Sequence, residues 1–380
     1  MCLGLLSLSA GLAPDLREGS NDLSIYRNAG EGILRGLVPY RDFFIEYPPG
    51  SLPAFVPPAV FSADRACYID IFSAEMAIVL AATLLLTALT ARRLHGPHTW
   101  LLPAGTFAAS GLLLYPVAVT RYDAVVALTL ALAALCATLG GRYLILAYAS
   151  LGVGAAAKLV PALATLPLVR KGAARGFTIF FAVVALFFAP FLLVGGGGIL
   201  ASFAYQANRG LQVESLAASV LMERGWVHGV AFEYGAFEVR GYGVGLATSL
   251  SPLITIILLA VTGFVMYREY RRSGSLGGEA FPRYAAALIL AFMLGSKVLS
   301  PQYMIWILPL VPLSAGGASG LGVSTLFITA CFATTQVFPI HYGDLLEVRY
   351  PGPDLLFARN LLLAVLWVLM LLLPNTKSTR

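Results

Sequence analysis

Residues 143–169 read YLILAYASLGVGAAAKLVPALATLPLV, an apolar run interrupted near its middle by Lys158 and Pro161. A membrane span needs about 20 mostly apolar residues, so the run is long enough to enter a bilayer. A charge and a helix breaker at its centre divide it into two short helices instead of one straight span. Polar groups at such a break lie near one face of the membrane. The pattern returns at 284–315, broken by Lys297, Ser300, Pro301 and Gln302. Less interrupted apolar stretches occupy 69–91, 99–119, 124–139, 177–194, 244–267, 321–339 and 355–373.

The whole chain agrees with its segments. Of 380 residues, 58% are hydrophobic and only 12% are charged, with a mean hydropathy of +0.81. A soluble domain carries about twice that charge, so a water-facing globule is excluded. Four cysteines cannot staple a chain of this length, which also excludes a disulfide-rich secreted scaffold. The fold class expected is an all-α polytopic membrane protein, one integral domain over 1–380, with about 12 membrane segments, some short or broken. Residues 1–13 are apolar but too short to span and lack a basic leader region, so they read as the outer end of a helix that begins upstream.

Orientation follows from where the basic residues fall. With the loop 14–68 outside, the inside loops hold Arg92, Arg93, Arg142, Arg170, Lys171, Arg175, Arg268, Arg271, Arg272, Arg283, Lys377 and Arg380, against only Glu269 and Glu279. The net charge of +6 is thus a difference between two unlike surfaces. The outer face receives most of the acidic residues and two long loops, 14–68 and 195–243. Both termini fall on the cytoplasmic side. Function is expected on the far side, in a plasma membrane of bacterial type, with which the absence of Asn-x-Ser/Thr sequons is compatible.

Charges at membrane depth are expensive and point to function by default. Here they are Arg121, Asp123, Lys158, Lys297 and Arg359, all near the outer interface on this topology. Snorkelling of a single Lys or Arg to the headgroups is the plain alternative for each one taken alone. Cations converging at one level from separate hairpins suit an anion of the interface, such as a lipid phosphate. In the first outer loop, residues 23–36 read as an amphipathic surface helix, for which Asp22 or Asn21 serves as N-cap. Pro48-Pro49-Gly50 marks a rigid turn toward the membrane. In the second loop, 205–215 reads as an interfacial helix, and Tyr, Trp and Glu recurring down to Arg240 allow a sugar-binding rim.

Taken in order, these motifs resemble a known family. They are Asp22 just after the first helix, with Tyr26 four residues on, Tyr40-Arg41-Asp42-Phe43, Glu46-Tyr47-Pro48-Pro49-Gly50, Arg121-Tyr122-Asp123, Lys158-Leu159-Val160-Pro161 and Ser300-Pro301-Gln302-Tyr303. The set is similar to the polyprenol-phosphate-dependent mannosyltransferases of the GT-C class, glycosyltransferase family 87, over nearly the whole chain. The resemblance implies transfer of a hexose, most often mannose, from a polyprenyl-phosphate sugar to a glycolipid or glycan acceptor on the outer face, with inversion at the anomeric carbon. It implies an acidic residue of the first outer loop as general base, and Asp22 matches that position. Inverting displacement needs one carboxylate at the acceptor hydroxyl and cations at the departing phosphate. Arg121, Lys158, Lys297 and Arg209 are candidates for the cations, whereas Asp42 and Glu46 are alternative bases or acceptor ligands. Tyr26, Arg41, Tyr47, Asp123, Gln212, Glu214, Gln302 and Tyr303 complete the expected substrate-binding set.

Other chemistries find little footing. His95 and His98 stand beside Gly96-Pro97 without Cys or carboxylate neighbours, so no protein metal site is expected, and a divalent ion held by donor phosphate would leave no signature. No Walker or dinucleotide glycine loop is present, and the basic residues follow the membrane rim instead of forming a nucleic-acid patch. A secondary transporter remains the rival from another class, and a lipid-linked glycan polymerase or ligase the rival within the same location. No two-fold repeat of the hydropathy pattern accompanies the broken helices, as a transporter would often show.

Overall fold

The computed structural model describes residues 21–96, 99–169, 173–195, 197–274 and 276–373. The expected first-helix fragment at 1–13, His98, the terminal basic residues and the placement of both termini lie outside these. Among the described residues, five helices are long and apolar enough to cross a membrane: Arg65–His95, Ala174–Val194, Val244–Ser273, Gly317–Ile340 and Gly352–Leu372. Shorter apolar helices at Leu101–Leu113, Asp123–Leu139 and Tyr143–Ala157 pack among them.

Local chemistry sets the helix ends. In Arg65–His95, Asp64 caps the start by accepting from the Cys67 amide at 2.8 Å, and Arg92, Arg93 and His95 fill the last turn. Acceptors at the first turn and cations at the last complement the helix dipole. Thr83, Thr87 and Thr90 return their hydroxyls to carbonyls one turn earlier, which removes three polar groups from an apolar surrounding. Phe281–Gly295 is buried along nearly its whole length and forms the centre of the bundle. By contrast, the most apolar windows of Ala174–Val194 and Val244–Ser273 are only 6% buried, which leaves both helices facing lipid.

Both expected breaks are present. The helix Tyr143–Ala157 ends at Lys158, whose backbone is extended, and Val160–Leu168 continues as a 3₁₀ segment. The second break separates Phe281–Gly295 from the short helix Tyr303–Ile307. Lys158 and residues 296–302 therefore meet at the same end of the bundle, where the two long loops fold over them.

In the first loop, Asn21–Leu34 is helical, and the 3₁₀ turn Pro49–Ala54 docks on the end of Tyr143–Ala157. Gly50 makes that approach possible, because a Cβ there would lie 2.4 Å from the backbone carbon of Ala156. Any larger residue would push the loop off the helix. The second loop departs from expectation. Helix Gly198–Ala207 stops before Asn208, and residues 208–215 form a non-helical segment with turns at 208 and 213–214, ending at Ser215, which caps the helix Leu216–Glu223 through the Ala218 amide. A β-hairpin follows, β1 Val227–Glu233 and β2 Ala236–Gly241. The 208–215 backbone bonds to the hairpin, with Val213 N to Phe237 O at 2.8 Å and Val239 N to Leu211 O at 2.9 Å. Asn208 and Gly210 are weak helix formers, and pairing with the hairpin satisfies the backbone more completely than an isolated surface helix would.

Candidate active site

A cavity of about 560 Å³ opens where the two loops meet the broken helices. One wall carries Asp22, the first acidic residue of the Asn21–Leu34 helix. Its side chain stands within the first turn of that helix and is held by residues from other elements. Tyr47 Oη donates to Asp22 Oδ1 at 2.5 Å, and Arg121 Nε lies 2.8 Å from Oδ2. Tyr26 lies beneath this pair, fully buried, stacked on Phe55 at 4.4 Å and edge-on to Tyr47 and Tyr122. Such rings cannot shift without opening a cavity, so the carboxylate is held in place by packing as well as by hydrogen bonds.

Lys158 occupies the adjoining wall. Its Nζ donates to Asp123 Oδ1 at 2.7 Å, and Trp306 Nε1 donates to the same oxygen at 2.5 Å. The ammonium also lies 5.0–5.4 Å from the ring centres of Tyr122, Tyr303 and Trp306. Aromatic faces stabilise a cation while leaving its free N–H groups available. Asp123 itself is buried behind Lys158, and so supports the site from the rear.

The third wall comes from the loops. Glu46, only 8% exposed, accepts from Gln206 Nε2 at 3.3 Å and faces Arg209 Nη2 at 3.6 Å. Burial pushes the Glu46 carboxyl above its ordinary range, and Arg209 pulls it only partly back. Arg209 Nε donates to Tyr234 O at the hairpin turn, 3.0 Å away. Gln302 and Tyr303 line the floor beside Trp306.

Several expected ligands are spent on structure. Gln212 donates to Ser300 Oγ at 3.0 Å and accepts from Leu299 N at 2.7 Å, although it still borders the cavity. Glu214 also borders it, pushed up to about 7 by burial against the pull of Arg359, whose Nη2 lies 3.4 Å away. Arg359 and Asn360 both donate to the Glu214 carbonyl, tying the last helix to this segment. Lys297 does not border the cavity, because its ammonium donates to the carbonyls of Ala207 and Arg209. Arg41 and Asp42 pair with each other at 2.8 Å on the exposed surface, and that hydrogen bond holds Asp42 down at about 2.

The residues brought together are thus Asp22, Tyr47, Arg121, Lys158, Glu46 and Arg209, with Gln212, Glu214, Gln302 and Tyr303 around them. Tyr26 and Asp123 form a supporting layer. Sequence reasoning missed Trp306, Tyr122 and Gln206. Trp306 sits in an apolar run where an aromatic residue reads as core, whereas Tyr122 entered only as the middle of the Arg121-Tyr122-Asp123 motif, with no role of its own. Among the described residues no cluster of three or more His, Cys, Asp and Glu side chains is placed to hold a metal. Chemically, the cavity offers a carboxylate, Asp22, held by the Tyr47 phenol and the Arg121 guanidinium, and two further cations, Lys158 and Arg209, within the same walls.

Comparison with known proteins places the fold and family. The pattern of glycosyltransferase family 87 matches residues 44–301, more than half the chain. A crystal structure of ArnT from Cupriavidus metallidurans bound to undecaprenyl phosphate is similar over 97% of this chain and 76% of its own, at 12% identity and a TM-score of 0.52. The apo form of that protein matches over 91% of this chain and 71% of its own, at 12% identity and a TM-score of 0.47. No curated protein sequence matches. The architecture is the GT-C fold of an integral membrane protein, and the chain belongs to glycosyltransferase family 87.

Proposed function

We propose that the protein transfers a hexose, mannose by preference, from a polyprenyl-phosphate sugar to a glycolipid or glycan acceptor at the outer face of the membrane. The observation that carries the reading is the meeting of Asp22, Arg121, Lys158 and Arg209 around one cavity at the end of the helix bundle where both helix breaks lie. Family membership supplies the reaction class, and a structure of the same fold holds a polyprenyl phosphate. The acceptor hydroxyl attacks the anomeric carbon, its oxygen forming the new C–O bond as the bond from that carbon to the phosphate oxygen breaks. Asp22 takes the hydroxyl proton. The electron pair leaves with the polyprenyl phosphate, whose charge Lys158 and the two arginines stabilise, and the configuration inverts.

Tyr47 and Arg121 orient the Asp22 carboxylate so that it meets the hydroxyl along a lone pair. The buried aromatic faces around Lys158 keep its charge in a low-dielectric wall, where attraction to a phosphate is stronger than in water. In a purified preparation supplied with labelled polyprenyl-phosphate mannose and membrane glycolipids, Asp22→Asn should lower transfer by about 10²–10⁴-fold, the usual contribution of a general base. Donor binding and membrane insertion should stay intact. Full transfer by this variant would remove Asp22 from the reaction. Transfer only from a diphosphate-linked oligosaccharide would instead favour a polymerase or ligase.

A further inference from the structure

The hairpin β1–β2 turns through Tyr234 and Gly235, with Glu233 paired to Ala236. Both turn residues have positive φ, 48° for Tyr234 and 69° for Gly235. That is a two-residue turn of type I′, whose first position favours Asn, Asp or Gly. A tyrosine there is strained by its own Cβ, and a smaller polar residue would make a better turn. A residue kept in a poor backbone conformation asks what its side chain does.

The turn sits directly over the Glu46 wall. A Cβ placed on Gly235 would lie 3.1 Å from Tyr205 Oη, 3.6 Å from Arg209 Nη2 and 3.8 Å from Glu46 Oε1. The Tyr234 ring meets Tyr205 edge-on at 5.4 Å, and Tyr205 meets Phe44 at 5.3 Å. Three aromatic rings drawn from three separate segments therefore form a continuous rim, with Phe44 and Tyr234 more than a third exposed. Directly inside the rim stand a carboxylate, an amide and a guanidinium. A rim of rings beside hydrogen-bonding groups recognises a sugar, whose C–H face stacks on the ring while its hydroxyls reach the polar side chains. A bilayer would find the same rings flanked by Glu233, Glu46 and Arg209, which an apolar surrounding disfavours.

We infer that the rim of Phe44, Tyr205 and Tyr234, with Gln206 and Glu46 behind it, binds the carbohydrate headgroup of the acceptor. The inference rests on the proposed reaction and deepens it, since it assigns the acceptor's sugar to one surface built from three segments. The adjacent residues Glu46 and Tyr47 divide the two substrates. Tyr47 turns to Asp22, beside which the donor phosphate finds Arg121, while Glu46 turns to the rim. The acceptor hydroxyl would reach Asp22 from the rim side.

The test removes the ring without weakening the turn. Tyr234→Gly suits the positive φ better than the native residue, so its melting temperature should equal or exceed that of the wild type. Tyr234→Trp retains a stacking surface. With an alkyl dimannoside as probe and no donor present, Tyr234→Gly should lose at least about tenfold in affinity, and Tyr234→Trp should restore most of it. The corresponding alkyl alcohol should bind neither variant preferentially. Equal dimannoside binding by wild type and Tyr234→Gly would overturn the inference, as would an equal loss of alkyl alcohol, which would mark the rim as a lipid contact. Because the binding measurement omits the donor, absence of mannose transfer by the wild type would count against the proposed reaction alone.

Discussion

At the scale of single residues, the first loop holds carboxylates in contrasting surroundings. Asp42 is exposed beside Arg41 and held low, whereas Glu46 is buried and raised, with burial the larger influence on it. A carboxyl raised in the folded state keeps its proton to higher pH than the same group in the unfolded chain. Its contribution to stability is therefore greatest in acid and declines as pH rises through the unfolded and then the folded value. Activity carries the same sign for a different reason. As pH falls through the raised value, Glu46 loses its charge, Arg209 loses its carboxylate, and the cavity becomes more positive. A sugar phosphodiester remains anionic over that range. The donor KM should accordingly fall on acidification, by about fivefold if the charge acts over several ångströms of wet cavity, which is worth ~1 kcal/mol. Glu46→Gln should flatten the profile at the low value. A donor KM with the same pH dependence in that variant would assign the titration elsewhere.

Much of this level was legible from the sequence, because a charge in an apolar run announces itself. Lys158, Arg121 and Asp123 were visible for that reason. The partners were not. That Asp123 sits behind Lys158 and Asp22 beside Arg121 depends on contacts across 35 and about 100 positions of chain, which no local pattern reports. Trp306 was invisible because its indole nitrogen acts only in the presence of Asp123, while its ring looks like any other buried aromatic residue.

At the scale of elements, the segment 208–215 is the most constrained part of the cavity wall. It is held on one side by the hairpin, on another by the break at 296–302, and at its end by Arg359 and Asn360. The sequence reads as a polar surface helix, and the period suggested nothing else. What decided the outcome was the hairpin, whose alternation in Val-Ala-Phe-Glu-Tyr-Gly-Ala-Phe-Glu was available as a strand signal around a glycine-containing turn. Once those strands form, 208–215 finds better partners than itself. Gln212 is the central bolt, with three hydrogen bonds through its amide N–H and side chain to Lys297 O, Ser300 Oγ and Leu299 N. Gln212→Leu keeps the backbone bond but strands the buried Leu299 N–H and Ser300 hydroxyl, at a cost of about 2–4 kcal/mol. The expected result in detergent-purified protein is a clearly lower melting temperature. A variant of unchanged stability but tenfold weaker donor binding would make Gln212 a substrate ligand instead.

At the scale of the whole molecule, the breaks, the loops and the cavity all belong to one end of the bundle, and the described arginines at 92, 93, 142, 175, 268, 271, 272 and 283 belong to the other. The helix Val244–Ser273 runs between those ends. Its 30 residues at about 1.5 Å each make ~45 Å, enough for the hydrocarbon core and both headgroup layers. Positive charge is retained on the cytoplasmic side of a membrane, so we propose that the cavity faces outward, where nucleotide-activated sugars are absent and a lipid-borne donor is required. This orientation has a direct test. Tyr242 lies just before that helix and is 81% exposed, and Ser273 closes it and is also exposed. In intact cells, an impermeant maleimide should label Tyr242→Cys at once. Ser273→Cys should react only after the membrane is permeabilised, in a background with the native cysteines replaced. Immediate labelling of Ser273→Cys together with protection of Tyr242→Cys would invert the molecule, move the cavity to the cytoplasm, and undo the argument that its donor must be carried by a lipid across the bilayer.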